Sequence, residues 1–380
     1  MEIKLLKKNS CSLRNNLIII TANTAWSIYN FRKKLINSLK HTGYKVVAVA
    51  PEDEYADSIP CEYIPVEINR RGTNPLEDIQ FYFNLRKIYK RLKPFAVLHF
   101  TSKVNIYGAL AARKLGICCI NNISGLGSAF IGGGFISHIQ QALYRFALRD
   151  ANVIFFQNED DEDYFIKRKL ARPEQSNLLP GSGVDVDRFS PQSHSDSRYF
   201  IFLMISRLIK DKGIYEYVQA AEKIKRKYPD SEFHIVGFLD NLNPSAIKKE
   251  ELECWVEEEL IDFLGRKDDV RNVIAASDCV VLPSYREGTP RTLLEAASMA
   301  KPIITTDVAG CRQVVDDGKT GFLCRVRDSE DLADKMEKVM LLSESERKDM
   351  GLKGREKMKR EFDEEIVIKK YLEVLERYRS

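Results

Sequence analysis

The sequence predicts an α/β protein of two domains, each a doubly wound parallel sheet of the Rossmann type. The chain has 380 residues, which is more than one hydrophobic core usually serves. Short apolar runs alternate with amphipathic stretches, a pattern typical of parallel strands joined by crossover helices. A polar stretch, SHSDS at 193–197, interrupts the alternation. We therefore predict an N-terminal domain over residues 1–195, a second domain over 196–361 and a terminal helix over 362–380.

The composition is that of an ordinary globular α/β protein, with 44% hydrophobic and 30% charged residues. Residues 1–190 hold 26 basic and 18 acidic side chains, whereas residues 191–380 hold 33 and 37. The basic first half favours an anionic acceptor or an anionic membrane surface as partner. We expect no nucleic-acid partner, because no binding motif accompanies this charge.

Some compartments and site types are disfavoured by what the sequence lacks. The eight cysteines are scattered without a C-x2-C pair, which argues against a zinc site and a disulfide framework. No apolar run approaches 18 residues, so no transmembrane helix is expected. Residues 1–15 have too short an apolar core for a signal peptide and are interpreted as a variable extension. These observations favour a reduced, cytoplasmic location.

The first domain is predicted to begin with a strand at 16–21, a helix that ends at Lys40 and a strand at 46–50. Ligands of doubly wound sheets bind beyond the carboxyl ends of strands, so the loop that contains Ser27 should face the ligand. A further strand at 95–100 leads into a turn from His99 to Lys103. His99 is a candidate catalytic group there, and Lys103 is a candidate for binding an acceptor phosphate. Packed or solvated side chains are the alternative for both.

A helix predicted over 76–93 has two faces. Its apolar residues fall on one side, and five basic residues, Arg86, Lys87, Lys90, Arg91 and Lys93, cluster on another. Such a helix either lies on an anionic bilayer or packs on the sheet with a solvated basic face. The two interpretations are compatible with each other.

The second domain is predicted to start with a strand at 199–206, followed by Arg207 and Lys212 in a strand-to-helix turn. Two cations at this spacing can converge on one diphosphate. They would stabilise the negative charge that develops on a diphosphate leaving group. Further strands are predicted at 232–236 and 261–264, and an acidic helix at 242–259.

The most informative stretch is 279–323. It predicts a buried strand at 279–282, a helix at 291–300 with Thr289 as its cap and Pro290 at its first position, and a strand at 303–306. The start of such a helix is a ready anion site. Glu287 and Glu295 flank this site, and since carboxylates repel phosphate, we assign both to hydroxyl groups of a ribose or a sugar. The backbone N–H groups of 289–292 would bind the diphosphate, and the candidate donor-binding residues of this loop are Gly288, Thr289, Pro290 and Arg291.

This stretch resembles the nucleotide-sugar-binding half of family 4 retaining glycosyltransferases, which have the GT-B fold of two Rossmann-like domains facing a central cleft. The matching residues are Pro283-Ser284, Glu287-Gly288, Pro290, Glu295-Ala296, Lys301-Pro302, Gly310 and Gly318-x-x-Gly321-Phe322. The resemblance implies an enzyme that transfers a sugar from a UDP-sugar with retention of anomeric configuration. It also implies a metal-independent reaction, in which Arg207, Lys212 and the helix start at Pro290 supply the positive charge of a metal.

The same resemblance implies that the terminal helix at 362–380 returns to the first domain, and it assigns residues outside the stretch 279–323. The backbone near Arg266 and Lys267 would hold the nucleobase, with Val273 packed beneath it. His99 would lie close to the donor sugar. In the acceptor-side loop GLGSAF, Gly125 and Gly127 would let the backbone approach a sugar or a diphosphate. A glycine loop without a ligand is the alternative for that segment.

Four segments, SIYNFR, GLGSAF, FFQNEDDEDYF and EGTPRTLLEA, resemble bacterial N-acetylgalactosaminyl- and galactosyltransferases of lipid-linked oligosaccharide and O-antigen assembly. FFQNEDDEDYF is expected on the acceptor side. The resemblance implies an undecaprenyl-diphosphate-linked acceptor at the cytoplasmic face of the inner membrane. UDP-N-acetylgalactosamine is the preferred donor, and UDP-galactose, UDP-N-acetylglucosamine and UDP-glucose remain open.

Three other functions compete with this interpretation. A nucleotide-sugar epimerase of the same fold would need acid and base groups but no acceptor. A nicotinamide-dependent dehydrogenase is disfavoured, because Gly125-Leu126-Gly127 is not followed by the third glycine and the acid of the dinucleotide fingerprint. A non-catalytic sugar- or membrane-binding module would tolerate the loss of Glu287.

Overall fold

The structure is a computed structural model that describes residues 16–69, 74–126, 134–192, 198–240 and 243–379. The predicted extension at 1–15, the SHSDS linker and Gly127 lie outside the described residues. The chain forms two compact units. Unit 1 comprises the described residues of Met1–Phe156, Glu162–Leu178 and Ile368–Ser380, and unit 2 those of Gln157–Asp161 and Leu179–Val367. The division after Leu178 differs from the predicted boundary at 195, because the segment after Leu178 packs with unit 2.

Unit 1 contains a seven-stranded sheet in which all paired strands are parallel. The strand order is β3-β2-β1-β4-β5-β6-β7. Strands β2 and β3 therefore lie on one side of β1 and strands β4 to β7 on the other, which places the topological switch point between β1 and β4. The strands are β1 (Leu17–Thr21), β2 (Lys45–Ala50), β3 (Glu62–Pro65), β4 (Ala96–Phe100), β5 (Cys118–Ile123), β6 (Val153–Phe156) and β7 (Ser176–Leu178). Parallel strands buried on both faces explain the continuous apolar runs in the sequence.

Capping residues explain where helices of unit 1 begin and end. The Thr24 side chain caps α1 (Ala25–His41) by accepting a hydrogen bond from the Ser27 N–H at 3.0 Å. Asn74 caps α2 (Pro75–Leu92), which has a proline in its first turn and ends at a left-handed Lys93. The others are α3 (Ser102–Arg113), α4 (Phe135–Leu148) and α5 (Glu159–Lys167), of which α5 spans the junction between the units.

His99 lies inside β4 and not in the turn after it, so the sequence placed it wrongly. Its side chain is 0% exposed, with Nε2 2.9 Å from the Tyr89 hydroxyl and Nδ1 3.0 Å from Asn121 Oδ1. A Cβ atom on Gly108 would stand 2.6 Å from the ring, so helix α3 covers the remaining side. A histidine enclosed in this way cannot reach a donor sugar. It belongs to the polar part of the core of unit 1.

We expect the enclosed His99 to make the protein acid-sensitive. Burial lowers the pKa of His99 to about 4. An unfolded histidine titrates near pH 6.5, so between these values the unfolded chain binds the extra proton and stability falls as pH falls. The free energy of unfolding should decrease by up to roughly 3 kcal/mol across this window. Denaturant titrations of the wild type and of His99→Gln at several pH values would measure the free energy of unfolding. If this free energy depends on pH equally in the two proteins, the expectation is contradicted.

Unit 2 contains a six-stranded parallel sheet of order β10-β9-β8-β11-β12-β13. Its topological switch point lies between β8 and β11. The strands are β8 (Phe200–Ile205), β9 (Ser231–Val236), β10 (Asp262–Phe263), β11 (Cys279–Leu282), β12 (Ile303–Thr306) and β13 (Gly321–Cys324). The predicted strands at 279–282 and 303–306 agree with β11 and β12. The one predicted at 261–264 is reduced to the two-residue edge strand β10.

The helices of unit 2 surround this sheet. They are α6 (Ile214–Lys227), α7 (Lys249–Glu257), α8 (Arg271–Ala276), α9 (Arg291–Ser298), α10 (Ser329–Leu341) and α11 (Glu344–Lys357). The acidic helix predicted over 242–259 begins only at Lys249, because hydrogen-bonded turns at Asn243 and Ala246 precede it. The last helix, α12 (Glu364–Arg379), starts in unit 2 and continues into unit 1. No helix in the described ranges has both the length and the apolar character that spanning a membrane requires.

Candidate active site

Three loops of unit 2 meet at the carboxyl edge of its sheet. They follow the neighbouring strands β8, β11 and β12 and contain Lys212, Glu287 and Gly310, respectively. The loop after β11 is joined to the loop after β8 by the bond from Tyr285 N–H to the Asp211 carbonyl, at 2.9 Å. Open α/β sheets bind their ligands where the strand order reverses, which in unit 2 is between β8 and β11. The sheet topology therefore selects this place as the candidate site.

Two glycines make the close approach of these loops possible. Gly213 has a φ of +74° and a Cβ atom there would lie 2.1 Å from the Pro283 carbonyl oxygen. Gly310 has a φ of +79° and a Cβ atom would lie 2.2 Å from the Gly288 carbonyl oxygen. Only glycine fits both the space and the left-handed backbone at these positions.

Glu287 and Lys212 form an ion pair across the two loops, although they are 75 residues apart in the chain. The Ser284 hydroxyl donates a second hydrogen bond to Glu287 Oε1 at 2.6 Å. The two charged side chains are only 13% and 17% exposed, so water screens their attraction incompletely. The arrangement presents an ammonium and a carboxylate side by side at the switch point of the sheet.

Arg207 does not share the contact that Lys212 makes. Its guanidinium lies 3.4 Å from Asp240 Oδ2 and is 48% exposed. Lys212 instead meets Glu287, a partner that its sequence neighbourhood gave no reason to expect. The predicted convergence of both cations on one diphosphate stays a prediction.

The start of helix α9 differs from the sequence prediction. Pro290 is the N-cap, and among the described residues no side chain caps this helix. The predicted capping role of Thr289 is wrong, because its hydroxyl donates to the Gln157 carbonyl oxygen at 3.0 Å and accepts from Gln313 Nε2. A helix start without a side-chain cap keeps the partial positive charge that favours an anion.

Glu295 lies on α9 one turn after Arg291. Arg291 Nε donates to Glu295 Oε1 at 2.9 Å, and the two side chains are 14% and 12% exposed. Burial raises the pKa of Glu295, while the positive charge of Arg291 opposes the rise. The carboxylate is thus held on the helix that begins at the candidate anion site.

The predicted nucleobase residues lie beyond β10 and on α8. Gly265, with a φ of +67°, turns the chain after β10, and its carbonyl accepts from the Gly237 N–H at 3.1 Å. Arg266 and Lys267 follow and are exposed. Val273 is half-buried against the core of unit 2.

Two of the predicted acceptor-side residues, Ser27 and Lys103, lie at the switch point of the sheet of unit 1, whereas Gly125 follows β5. Ser27 is in the first turn of α1, after β1, and Lys103 is in the first turn of α3, after β4. Lys103 Nζ is 2.5 Å from Asp78 Oδ1, and the Tyr107 hydroxyl donates to the same carboxylate at 2.9 Å. Gly125 has a φ of +118°, which only glycine adopts readily.

The segment FFQNEDDEDYF is divided between the units, which the sequence did not indicate. Its central residues, Gln157–Asp161, belong to unit 2, where they contact the loop that carries Glu287. The assignment of these five residues to the acceptor side is therefore corrected. No pattern in the sequence signalled the contact.

Over the described residues, one group of side chains has metal-ligating geometry. It consists of Glu232 and His234 on β9 and Asp262 on β10, with ligand atoms within 4.8 Å of one another. Glu232 and Asp262 lie near the amino ends of their strands, whereas the candidate site lies at the carboxyl ends. This group is not part of the candidate active site.

The two doubly wound parallel sheets place the chain in the Rossmann-like α/β class. Residues 185–357 match the family model described as "Glycosyl transferases group 1", and residues 18–158 match "Glycosyl transferase 4-like". The two models together cover most of the chain. The protein belongs to the family 4 glycosyltransferases and has the GT-B fold, as the sequence resemblance predicted.

Curated relatives agree with this membership. The chain is 28% identical over 372 residues to the N,N'-diacetylbacillosaminyl-diphospho-undecaprenol alpha-1,3-N-acetylgalactosaminyltransferase of Campylobacter jejuni, with 92% of this chain and 96% of that protein covered. It is 27% identical to the UDP-Gal:alpha-D-GlcNAc-diphosphoundecaprenol alpha-1,3-galactosyltransferase of Escherichia coli, over 73% of each chain.

Solved structures of low sequence identity share the fold. The sucrose-phosphate synthase of Thermosynechococcus elongatus has a TM-score of 0.80 at 17% identity, covering 95% of this chain and 98% of that one. Anabaena HepE in complex with UDP and glucose has a TM-score of 0.77 at 18% identity, covering 94% of this chain and 99% of that one. At these identities the likeness establishes the fold alone.

Proposed function

We propose that the protein transfers a sugar, for which N-acetylgalactosamine is the first choice, from a UDP-sugar to an undecaprenyl-diphosphate-linked sugar. The product would be a bacterial surface polysaccharide or a glycan for transfer to protein. The observation that carries the proposal is the Lys212–Glu287 pair at the switch point of unit 2. The acceptor class follows the two curated relatives, whose names specify undecaprenol-linked diphosphate sugars.

In this proposal the positive groups bind the donor diphosphate. Lys212 and Arg207 would meet it from the loop after β8, and the start of α9 would meet it from the loop after β11. Negative charge builds up on the diphosphate as the bond to the sugar breaks, so fixed cations lower the barrier. We propose that these groups make a metal unnecessary.

The two glutamates would hold hydroxyl groups. Glu287, beside Lys212, would accept a hydrogen bond from the donor sugar, and Glu295 would accept one from the ribose. Lys212 neutralises the Glu287 carboxylate, so a diphosphate can bind nearby without the full repulsion of like charges. The family typically retains anomeric configuration, and we propose a same-face displacement in which the leaving diphosphate accepts the proton of the acceptor hydroxyl.

The test of the function is a screen of radiolabelled UDP-sugars against polyprenyl-diphosphate-linked acceptors. Transfer of label to the lipid fraction supports the proposal, and the donor that gives the highest kcat/KM identifies the sugar. An isomerised UDP-sugar in the absence of an acceptor would identify an epimerase. Absorbance changes of a nicotinamide cofactor would identify a dehydrogenase.

We further propose that α2 rests on an anionic membrane, with the protein on the cytoplasmic face of the inner membrane. The helix buries Phe81, Leu85 and Tyr89 in unit 1. Its opposite face is apolar in the first half, where Leu76, Ile79 and Phe83 are 74%, 49% and 55% exposed. The second half of that face is basic, with Lys87, Lys90 and Arg91 exposed. Exposed apolar side chains beside basic ones suit the interface of an anionic bilayer.

We expect the double substitution Leu76→Ser/Phe83→Ser to weaken binding to vesicles that contain anionic lipid by about tenfold, because both side chains would lose their burial in the acyl region. Lys87→Ala/Lys90→Ala should also weaken binding to these vesicles, and added salt should weaken the binding of the wild type in the same way, because it screens the same charges. Leu341→Ser in unit 2, where Leu341 is 69% exposed, is the matched control. Vesicle co-sedimentation measures all three, and equal binding by the first variant and the control would contradict the proposal.

A further inference from the structure

The segment Gln157–Asp161, hereafter the strap, follows β6 and enters unit 2 before α5 returns to unit 1. Its side chains Gln157, Asn158 and Asp161 are 5%, 4% and 0% exposed. Buried polar groups are retained where they have partners, since an unpaired one is costly. The partners of the strap identify what it does.

The strap contacts the loop after β11 on both sides of Glu287. Before it, Arg286 forms an ion pair with Asp161. After it, Asn158 Nδ2 donates to the Gly288 carbonyl at 2.9 Å, and the Thr289 hydroxyl donates to the Gln157 carbonyl at 3.0 Å. Arg286 before the glutamate and Gly288 and Thr289 after it are therefore all bonded to the strap. Glu287 itself contacts Lys212 and Ser284.

The strap is itself braced. Asn158 Oδ1 accepts from the Asp161 N–H at 2.8 Å, and Asn158 Nδ2 also donates to Asp161 Oδ2 at 3.1 Å. Gln313, which lies after β12, donates to the Gln157 carbonyl at 3.0 Å. The contacts of this network share partners, so the loss of one contact weakens the others.

We propose that Asn158 and Asp161 are positioning residues, which fix the backbone on each side of Glu287 so that its carboxylate meets the sugar in the reactive geometry. This inference rests on the proposed function, because it assigns a role to the same site. Neither residue touches the substrate. Reaction rates depend on the placement of groups to within fractions of an ångström, so a looser loop costs turnover more than it costs binding.

The test compares Asp161→Asn with Asp160→Asn. Asp160 is the adjacent carboxylate, 49% exposed and 3.7 Å from Arg312, and serves as the matched control. We expect Asp161→Asn to lower kcat by about tenfold or more while KM for the donor and UDP affinity change less than about twofold. Asp160→Asn should leave all three unchanged. Arg286→Lys should retain more turnover than Arg286→Met, since only the lysine can still pair with Asp161.

A second measurement does not depend on activity. Hydrogen–deuterium exchange at the amides of residues 284–289 should be faster in Asp161→Asn and in Arg286→Met than in the wild type and in Asp160→Asn. If the wild type transfers no sugar, the proposed function fails and the exchange rates alone decide this inference. Unchanged kcat with unchanged exchange, or a loss of UDP affinity equal to the loss of kcat, would overturn it. If Asp161→Asn does not fold, Arg286→Met provides the same comparison at a partly exposed side chain.

Discussion

Replacement of Glu287 by alanine is expected to lower kcat by about 10²- to 10³-fold, the size of effect seen when one preorganised transition-state contact is removed. Two consequences of the substitution act together. The donor sugar loses its hydrogen-bond acceptor, and Lys212 loses the carboxylate that orients its ammonium. The donor KM and the affinity for UDP should change by less than about threefold, since the lost contact is made to the transferred sugar. Initial rates at saturating acceptor and calorimetry with UDP measure the two quantities.

Glu295→Ala provides the comparison for this result. Because Glu295 is assigned to the ribose, its loss should raise the donor KM and weaken UDP binding, with a smaller effect on kcat. Wild-type kinetics in both variants would remove the assignment of either carboxylate to the donor. Loss of UDP affinity in Glu287→Ala with normal kcat would mean that the two roles are exchanged.

Replacement of Lys212 by methionine is expected to lower kcat by about 10²-fold or more, because the leaving diphosphate would lose a fixed positive charge that is only 17% exposed. The substitution also leaves Glu287 without its cation, and that carboxylate would then repel the donor diphosphate. UDP affinity should therefore fall as well, which distinguishes this variant from Glu287→Ala.

Lys210→Met is the matched control for the Lys212 variant. Lys210 lies in the same single-turn helix, Lys210–Lys212, and its side chain is exposed. Its replacement removes one positive charge from the same loop but leaves the Lys212–Glu287 pair intact. Equal kinetics of the two variants would show that the net charge of the loop, and not the placement of Lys212, controls the reaction.

The parts of the fold that could be predicted are those set by local pattern. Strands β11 and β12 agree with prediction because short apolar runs bounded by turn residues specify buried parallel strands. The family resemblance identified the loop of Glu287 for a similar reason, since its matching residues lie close together in the sequence. These features need no knowledge of distant contacts.

The features that the sequence did not indicate depend on residues far apart in the chain. The Lys212–Glu287 pair joins positions 75 apart, and the Arg286–Asp161 pair joins positions 125 apart. His99 was misplaced because its enclosure depends on Tyr89 and Gly108, neither of which marks it in the local pattern. Thr289 has the residue type of a helix cap, but a tertiary partner, Gln157, takes its hydroxyl.

The route of α12 has a consequence for the order in which the protein matures during synthesis. Tyr371 is 1% exposed, and its ring centroid lies 4.9 Å from that of Phe155. Its hydroxyl accepts a hydrogen bond from Asn122 Nδ2 at 2.9 Å. The ribosome therefore delivers all of unit 2 before it delivers the residue that closes the interior of unit 1. A nascent chain released before position 371 would expose Phe155 to chaperones and proteases, so the half made first is the half completed last.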